Sequence, residues 1–283
     1  MERVTLEEII QSKQRTEDIL RRDIVAVKKR KVYGGLKILW HFQIAALLRT
    51  RVIGNRPTLA EVLADDVAYE KLMGNVRRIP QAGTIPQRLL QMFRFNQAVT
   101  FFRPSEASRL YERFRASHVL DPTAGWGGRM IASHALGISY TGIDTNLSLQ
   151  PGYEGMMALL GNEKMRMIWQ DTLEVDYEAI DYDFVLTSTP YVNERGRQIE
   201  HYEHMQMPDL FYEEFLVPLI QKSLRHVKRQ GSVCFEMSAL MYGEVSRIFR
   251  AADEQHEAKP HYLIQTRHPE TRSHYYVWRS VCL

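Results

Sequence analysis

Three short stretches of this chain combine residue types that could handle a small polar ligand. The first, Val119-Leu120-Asp121-Pro122-Thr123-Ala124-Gly125-Trp126-Gly127-Gly128-Arg129, reads as a strand running into a glycine-rich turn and then a helix. Glycines let a backbone approach a ligand closely, and a helix N-terminus points free N–H groups at it. The second, Tyr140-Thr141-Gly142-Ile143-Asp144, ends the next strand in a carboxylate. An open α/β sheet places an acid there, about 20 residues on, to accept from ribose hydroxyls. The third, Asp183-Phe184-Val185-Leu186-Thr187-Ser188-Thr189-Pro190-Tyr191, is an apolar strand entering a turn with a small polar residue, a proline and an aromatic. Taken singly, each stretch also reads as a close-packed turn or a capping Asp. Together they fall at one edge of one sheet, where ligands bind. A dinucleotide turn would read GxGxxG, and GWGGR does not.

The elements that must position these residues follow from apolar spacing. Residues 5–50 carry a helical period in Leu6, Ile9, Ile10, Ile19, Leu20, Ile24 and Val27, with Thr5 as a start and Gly34-Gly35 as punctuation. Thr58-Leu59-Ala60-Glu61 opens a further short helix as an N-cap with Glu at the third helical position. Ile79-Pro80 and Ile85-Pro86 mark a loop, and helix resumes over 87–98. From residue 104 strands and helices alternate. Helices are expected at 105–115, 127–136, 209–228 and 240–255, and strands at 118–120, 140–143, 165–169, 184–186, 232–236, 262–266 and 275–281. This is an α/β pattern: a mostly parallel seven-stranded sheet closed by an antiparallel hairpin, behind a helical region over 1–95, with the second domain at 96–283.

Composition bounds the function classes. At 283 residues, 45% hydrophobic and 25% charged, the chain is neither disordered nor collagen-like. Two cysteines, Cys234 and Cys282, exclude a disulfide framework and suit a reducing intracellular compartment. The apolar run Leu36–Leu48, broken by His41 and Gln43, falls short of the ~20 residues of a membrane span. The start MERVTLEEIIQ shows no secretory signal. Net charge is +3, unevenly spread: residues 1–56 hold 13 Lys and Arg against 6 Asp and Glu, which leaves the remainder at −4. A basic arm on a mildly acidic body places phosphate-binding charge on one lobe, or is simply a solvated helix face.

The stretches Asp121–Arg129, Tyr140–Asp144, Trp169-Gln170-Asp171 and Ser188-Thr189-Pro190-Tyr191 resemble, in that order, the motifs of amino-methyltransferases acting on nucleic-acid bases. These are class I S-adenosylmethionine enzymes of the N6-adenine and N4-cytosine DNA type, and this form looks most like phage or large-virus branches. The resemblance covers roughly residues 95–283 and implies a Rossmann-like class I methyltransferase fold. It further implies that S-adenosylmethionine lies against Phe102, Arg103, Asp121, Pro122, Thr123, Ala124, Gly125, Gly127, Asp144 and Asp171. Asp144 would take the ribose hydroxyls, Asp171 the adenine amine, and Asp121 the ammonium, directly or through water. Ser188 and the carbonyl of Thr189 would accept from the target amine, beside Pro190, and Tyr191 would stack on the extruded base. The family pattern has proline where this chain has Thr189, a departure that removes the ring that would stiffen the turn and aim that carbonyl.

DNA is the implied substrate. RNA, a protein amide, or a catalytically silent subunit serving an active partner are the alternatives, and a homo-oligomer stays open. Fewer than 70 residues separate the glycine turn from the Ser188 turn, so no large target-recognition insert fits between them. Lys28, Lys29, Arg30 and Lys31, with Arg195 and Arg197, are the candidates for gripping phosphates. No metal site is expected. His201 and His204 lack a third ligand nearby, and neither cysteine has a visible base.

Overall fold

The computed structural model describes residues 3–50, 57–78, 83–95, 101–161, 163–190, 192, 210–258 and 272–280. Six helices open the chain. The first, α1 (Leu6–Gln11), starts on a capping box in which Thr5 accepts from the Glu8 amide and Glu8 accepts from the Thr5 amide. Such a cap contributes roughly 1 kcal/mol. Then come α2 (Glu17–Lys28) and α3 (Leu36–Leu47). The expected Thr58/Glu61 capping box opens α4 (Leu59–Ala64), and α5 (Asp66–Arg78) and α6 (Ile85–Phe95) follow. Ile85-Pro86 thus starts a helix rather than marking a loop, because proline is tolerated in a first turn, where no N–H is needed.

The alternating part runs α7 (Pro104–Arg113), β1 (His118–Asp121), α8 (Gly128–Leu136), β2 (Ser139–Asp144), α9 (Gln150–Leu160), β3 (Met165–Trp169) and β4 (Phe184–Ser188). A π-helical turn at Phe211–Leu216 leads into α10 (Val217–His226), β5 (Ser232–Ser238), α11 (Ala239–Ile248), β6 (Glu254–Glu257) and β7 (Ser273–Arg279). One seven-stranded sheet results, in the order β3-β2-β1-β4-β5-β7-β6. The first five of these are parallel, and β7 lies antiparallel between β5 and β6. This is the Rossmann-like, mostly parallel seven-stranded architecture with an antiparallel end expected above. Two boundaries are corrected. The helix expected over 240–255 ends at Ile248, and Glu254–Glu257 is the edge strand. Its polar sequence, EQHE, shows no apolar alternation, so pairing with β7 rather than propensity makes it a strand. The strand expected at 262–266 lies outside the described residues.

Each face of the sheet has its own core. One is built on Val185, Phe235 and Trp278 with the helices after β4. The other joins α7, α8 and α9 to the N-terminal helices in a single apolar cluster from Val4 to Val277. There α3 lies against α9 so closely that a Cβ on Gly152 would stand 2.3 Å from the Gln43 amide, and one on Gly155 2.6 Å from the Phe42 ring.

Candidate functional site

Chain order reverses between β1 and β4, and open α/β sheets take ligands at the carboxyl ends of the strands beside such a point. Three turns meet there. The turn after β1 holds Gly125 at φ +57° and Gly127 at φ +92°, left-handed conformations that favour glycine. The three glycines have different reasons for lacking a side chain. A Cβ on Gly127 would lie 2.8 Å from Met156, and one on Gly128 would collide with the Phe102 carbonyl. A Cβ on Gly125 would meet nothing nearer than 4.0 Å. Two glycines therefore serve packing, and only Gly125 fronts open space.

The carboxylate at the end of β2 fixes this turn. Asp144 accepts from the Gly125 amide at 2.7 Å and from the Asn146 amide at 2.8 Å. Burial raises its pKa to about 6, although both backbone bonds and the Arg129 cation oppose the shift. Asp144 aligns with Trp169 on β3, so Asp171, exposed two residues further on, stands at the adjoining strand end. The Leu173 amide donates to Asp171 at 2.8 Å. Leu147, 62% exposed, offers an apolar surface three residues past Asp144.

Asp121 receives three side chains of the protein itself. Fully buried, it receives Arg129 Nε at 2.7 Å, the Tyr140 hydroxyl at 2.7 Å and the Thr187 hydroxyl at 2.9 Å. Burial alone would lower the Arg129 pKa, but the adjacent Asp121 carboxylate raises it instead, and the guanidinium stays charged. Arg129 also donates to the Thr123 carbonyl at 2.7 Å and covers the Phe102 ring at 4.8 Å. Phe102 is therefore buried under a cation, while Pro122 and Ala124 are buried in the turn. Arg103, half-buried, reaches within 6.0 Å of the Tyr33 ring.

At the end of β4, Ser188 is half-buried, and among the described residues its hydroxyl has no hydrogen-bond partner. Its carbonyl lies 3.1 Å from the Thr123 hydroxyl, so the turns after β1 and β4 touch. Thr189 and Pro190 are buried. The Thr189 amide donates to the Glu236 carbonyl, and its own buried hydroxyl has no partner. Tyr191, Arg195, Arg197, His201, His204 and Cys282 lie outside the described residues. Among those described, no cluster of His, Cys, Asp and Glu could hold a metal, and no helix is long and apolar enough to cross a membrane.

No protein-family model matches this chain, and no curated protein matches it. Solved structures similar to it include a putative class I S-adenosylmethionine-dependent methyltransferase from Listeria monocytogenes (TM-score 0.49, 14% identity, covering 98% of this chain and 88% of that one). TrmN from Thermus thermophilus gives a TM-score of 0.44 at 15% identity, covering 63% of this chain and 49% of that one. The tRNA m1G37 methyltransferase of M. jannaschii gives 0.42 at 18%, covering 64% and 51%. The chain thus spans about half the length of the last two.

Several residues that shape the site were not visible from motif spacing. Arg129, Tyr140 and Thr187 hold Asp121, and Tyr153 donates to the Ala124 and Gly125 carbonyls at 3.2 and 3.0 Å. Arg129 closes the glycine motif itself, and a lone cation beside a strand-end acid was the available signal. On the surface, Lys28, Lys29, Arg30 and Lys31 are exposed, and Arg30 pairs with Glu112 on α7. Cys234 is buried, and burial pushes its thiol pKa well up, away from nucleophilic use.

Proposed function

We propose that this chain transfers a methyl group from S-adenosylmethionine to an exocyclic amine of a nucleic-acid base, adenine N6 or cytosine N4. The observation that carries the reading is the contact between the two turns: an open glycine anchored to an acid stands against a turn with an unpartnered serine hydroxyl. The donor set suits the cofactor. Gly125 leaves the space a Cβ would fill, Asp144 has lone pairs left for two ribose hydroxyls, Asp171 is free to accept from an adenine amine, and Leu147 can cover a ring. When bound, S-adenosylmethionine supplies a methyl group activated on a sulfonium. The chain's own part is to hold the acceptor. The Ser188 hydroxyl and the Thr189 carbonyl accept both N–H bonds of the amine, which draws its lone pair out of conjugation with the ring. Fixing that nitrogen supplies much of the acceleration, since orientation is worth several kcal/mol. Tyr191, next in sequence, stacks on the extruded base at ~1–3 kcal/mol, against an extrusion cost of a few kcal/mol.

Lys28, Lys29 and Lys31 take the phosphates in this reading, while Arg30 is engaged by Glu112. The test is mass spectrometry of nucleosides after incubating the chain and S-adenosylmethionine with duplex DNA, tRNA and rRNA in parallel. A new N6-methyladenosine or N4-methylcytidine signal, in the deoxy or ribo form, that vanishes in Ser188→Ala supports the reading and names the polymer. A methyl group found on a ring nitrogen, on carbon or on protein would overturn it.

A further inference from the structure

The Ser188 turn raises a question of stiffness. A proline at position 189 would fix its own φ but could donate no hydrogen bond. Thr189 fixes nothing by covalent geometry, yet its amide can and does donate, to the Glu236 carbonyl. What holds the peptide on the other side is a chain of hydroxyls. The Thr187 hydroxyl has one hydrogen, and it goes to Asp121 at 2.9 Å. In the 2.5 Å contact between Thr123 and Thr187 the donor is therefore Thr123. The same Thr123 hydroxyl stands 3.1 Å from the Ser188 carbonyl. Its single hydrogen is shared between a strand hydroxyl and the carbonyl of the acceptor turn, and the chain ends on Asp121, which Arg129 and Tyr140 hold from the far side.

We infer that Thr123 is a positioning residue that ties the glycine turn to the acceptor turn and takes over the aiming of the Ser188–Thr189 peptide. Two features of this chain support the assignment. Thr123 lies inside the glycine motif but spends its side chain toward β4, and every member of the chain from Ser188 to Arg129 has its partner within the described residues. A movement of the glycine turn is consequently transmitted to the Ser188 carbonyl. The catalytic meaning of this tie rests on the function proposed above, but the tie itself does not.

The experiment uses the full chain as wild type, Thr123→Val and Thr123→Ser, and reads the Thr189 amide exchange rate relative to that of Val185 in the same strand, so that global loosening cancels. The expected result is exchange at Thr189 at least ten times faster in Thr123→Val, with Thr123→Ser close to wild type. With the nucleic acid that the nucleoside assay identifies as substrate, kcat falls by about 10–100-fold in Thr123→Val and returns to within about threefold of wild type in Thr123→Ser. Unchanged Thr189 exchange in Thr123→Val overturns the inference. So does Thr123→Ser behaving like Thr123→Val. If wild type binds no S-adenosylhomocysteine but Thr189 still exchanges faster in Thr123→Val, the proposed function falls and the inference stands.

Discussion

Two acids separated by one strand end meet opposite fates, and the difference was only half legible in the sequence. Asp121 and Asp144 both close short apolar strands, so spacing predicts a ligand for each. What separates them is Arg129: a buried cation eight residues past Asp121 claims its carboxylate, while Asp144 keeps only backbone donors. Removing one partner of a buried pair strands the other, at about 3–5 kcal/mol. Asp121→Asn is therefore expected to lower the free energy of unfolding by that amount in a urea titration, and an unchanged midpoint would show the pair to be dispensable. Asp144 gives a pH test. Its folded pKa, about 6, lies above the ordinary carboxylate value, so its contribution to stability is greatest in acid and is lost as pH rises through about 6. Cofactor binding runs the other way, because ribose hydroxyls donate best to the ionised form. Calorimetry should show affinity for S-adenosylhomocysteine falling about tenfold per pH unit below about 6, with the slope absent in Asp144→Asn.

Elements were readable where period and cap agreed. The two capping boxes, β3 and the glycine turn appear where spacing puts them, because each is decided by contacts within a few residues. Helix α9 and strand β6 were not, since both are fixed by what they pack against: α3 in one case, β7 in the other. The glycine turn itself separates packing from binding. Gly125→Ala adds a Cβ facing open space in a left-handed conformation, a strain of about 1–2 kcal/mol. Thermal unfolding should register that cost alone, while calorimetry records a loss of S-adenosylhomocysteine affinity beyond tenfold. Gly127→Ala carries the same backbone strain plus the Met156 collision, so its melting temperature should fall further than that of Gly125→Ala. Equal affinity for the cofactor in Gly125→Ala and wild type would remove the glycine turn from the binding site.

Across the whole molecule, the basic N-terminal third is not a detachable arm. Ile38, Leu39 and Ile44 are buried, and Trp40 meets Phe101 at 5.0 Å, which meets Trp126 of the glycine turn at 5.8 Å. Burying an aliphatic side chain of this size is worth roughly 1.5–3 kcal/mol, so deleting residues 1–50 should produce aggregation rather than a soluble catalytic domain. Neutralising exposed lysines is a gentler change. Lys28→Ala, Lys29→Ala and Lys31→Ala together are expected to leave the melting temperature unchanged and to reduce the slope of log affinity against log salt by about 2–3, since each phosphate contact contributes ~0.7–0.9. An unaltered slope would move the nucleic-acid surface elsewhere. The strand order carries a last consequence, for how the protein is made. A ribosome delivers β6 before β7, yet among the described residues β6 joins the sheet only through β7. Until β7 emerges, β5 waits with Val233, Cys234 and Phe235 along an unpaired edge and β6 has nowhere to dock. At ~5–20 residues per second that interval lasts about a second or more, and it is the window in which a chaperone has the most to protect.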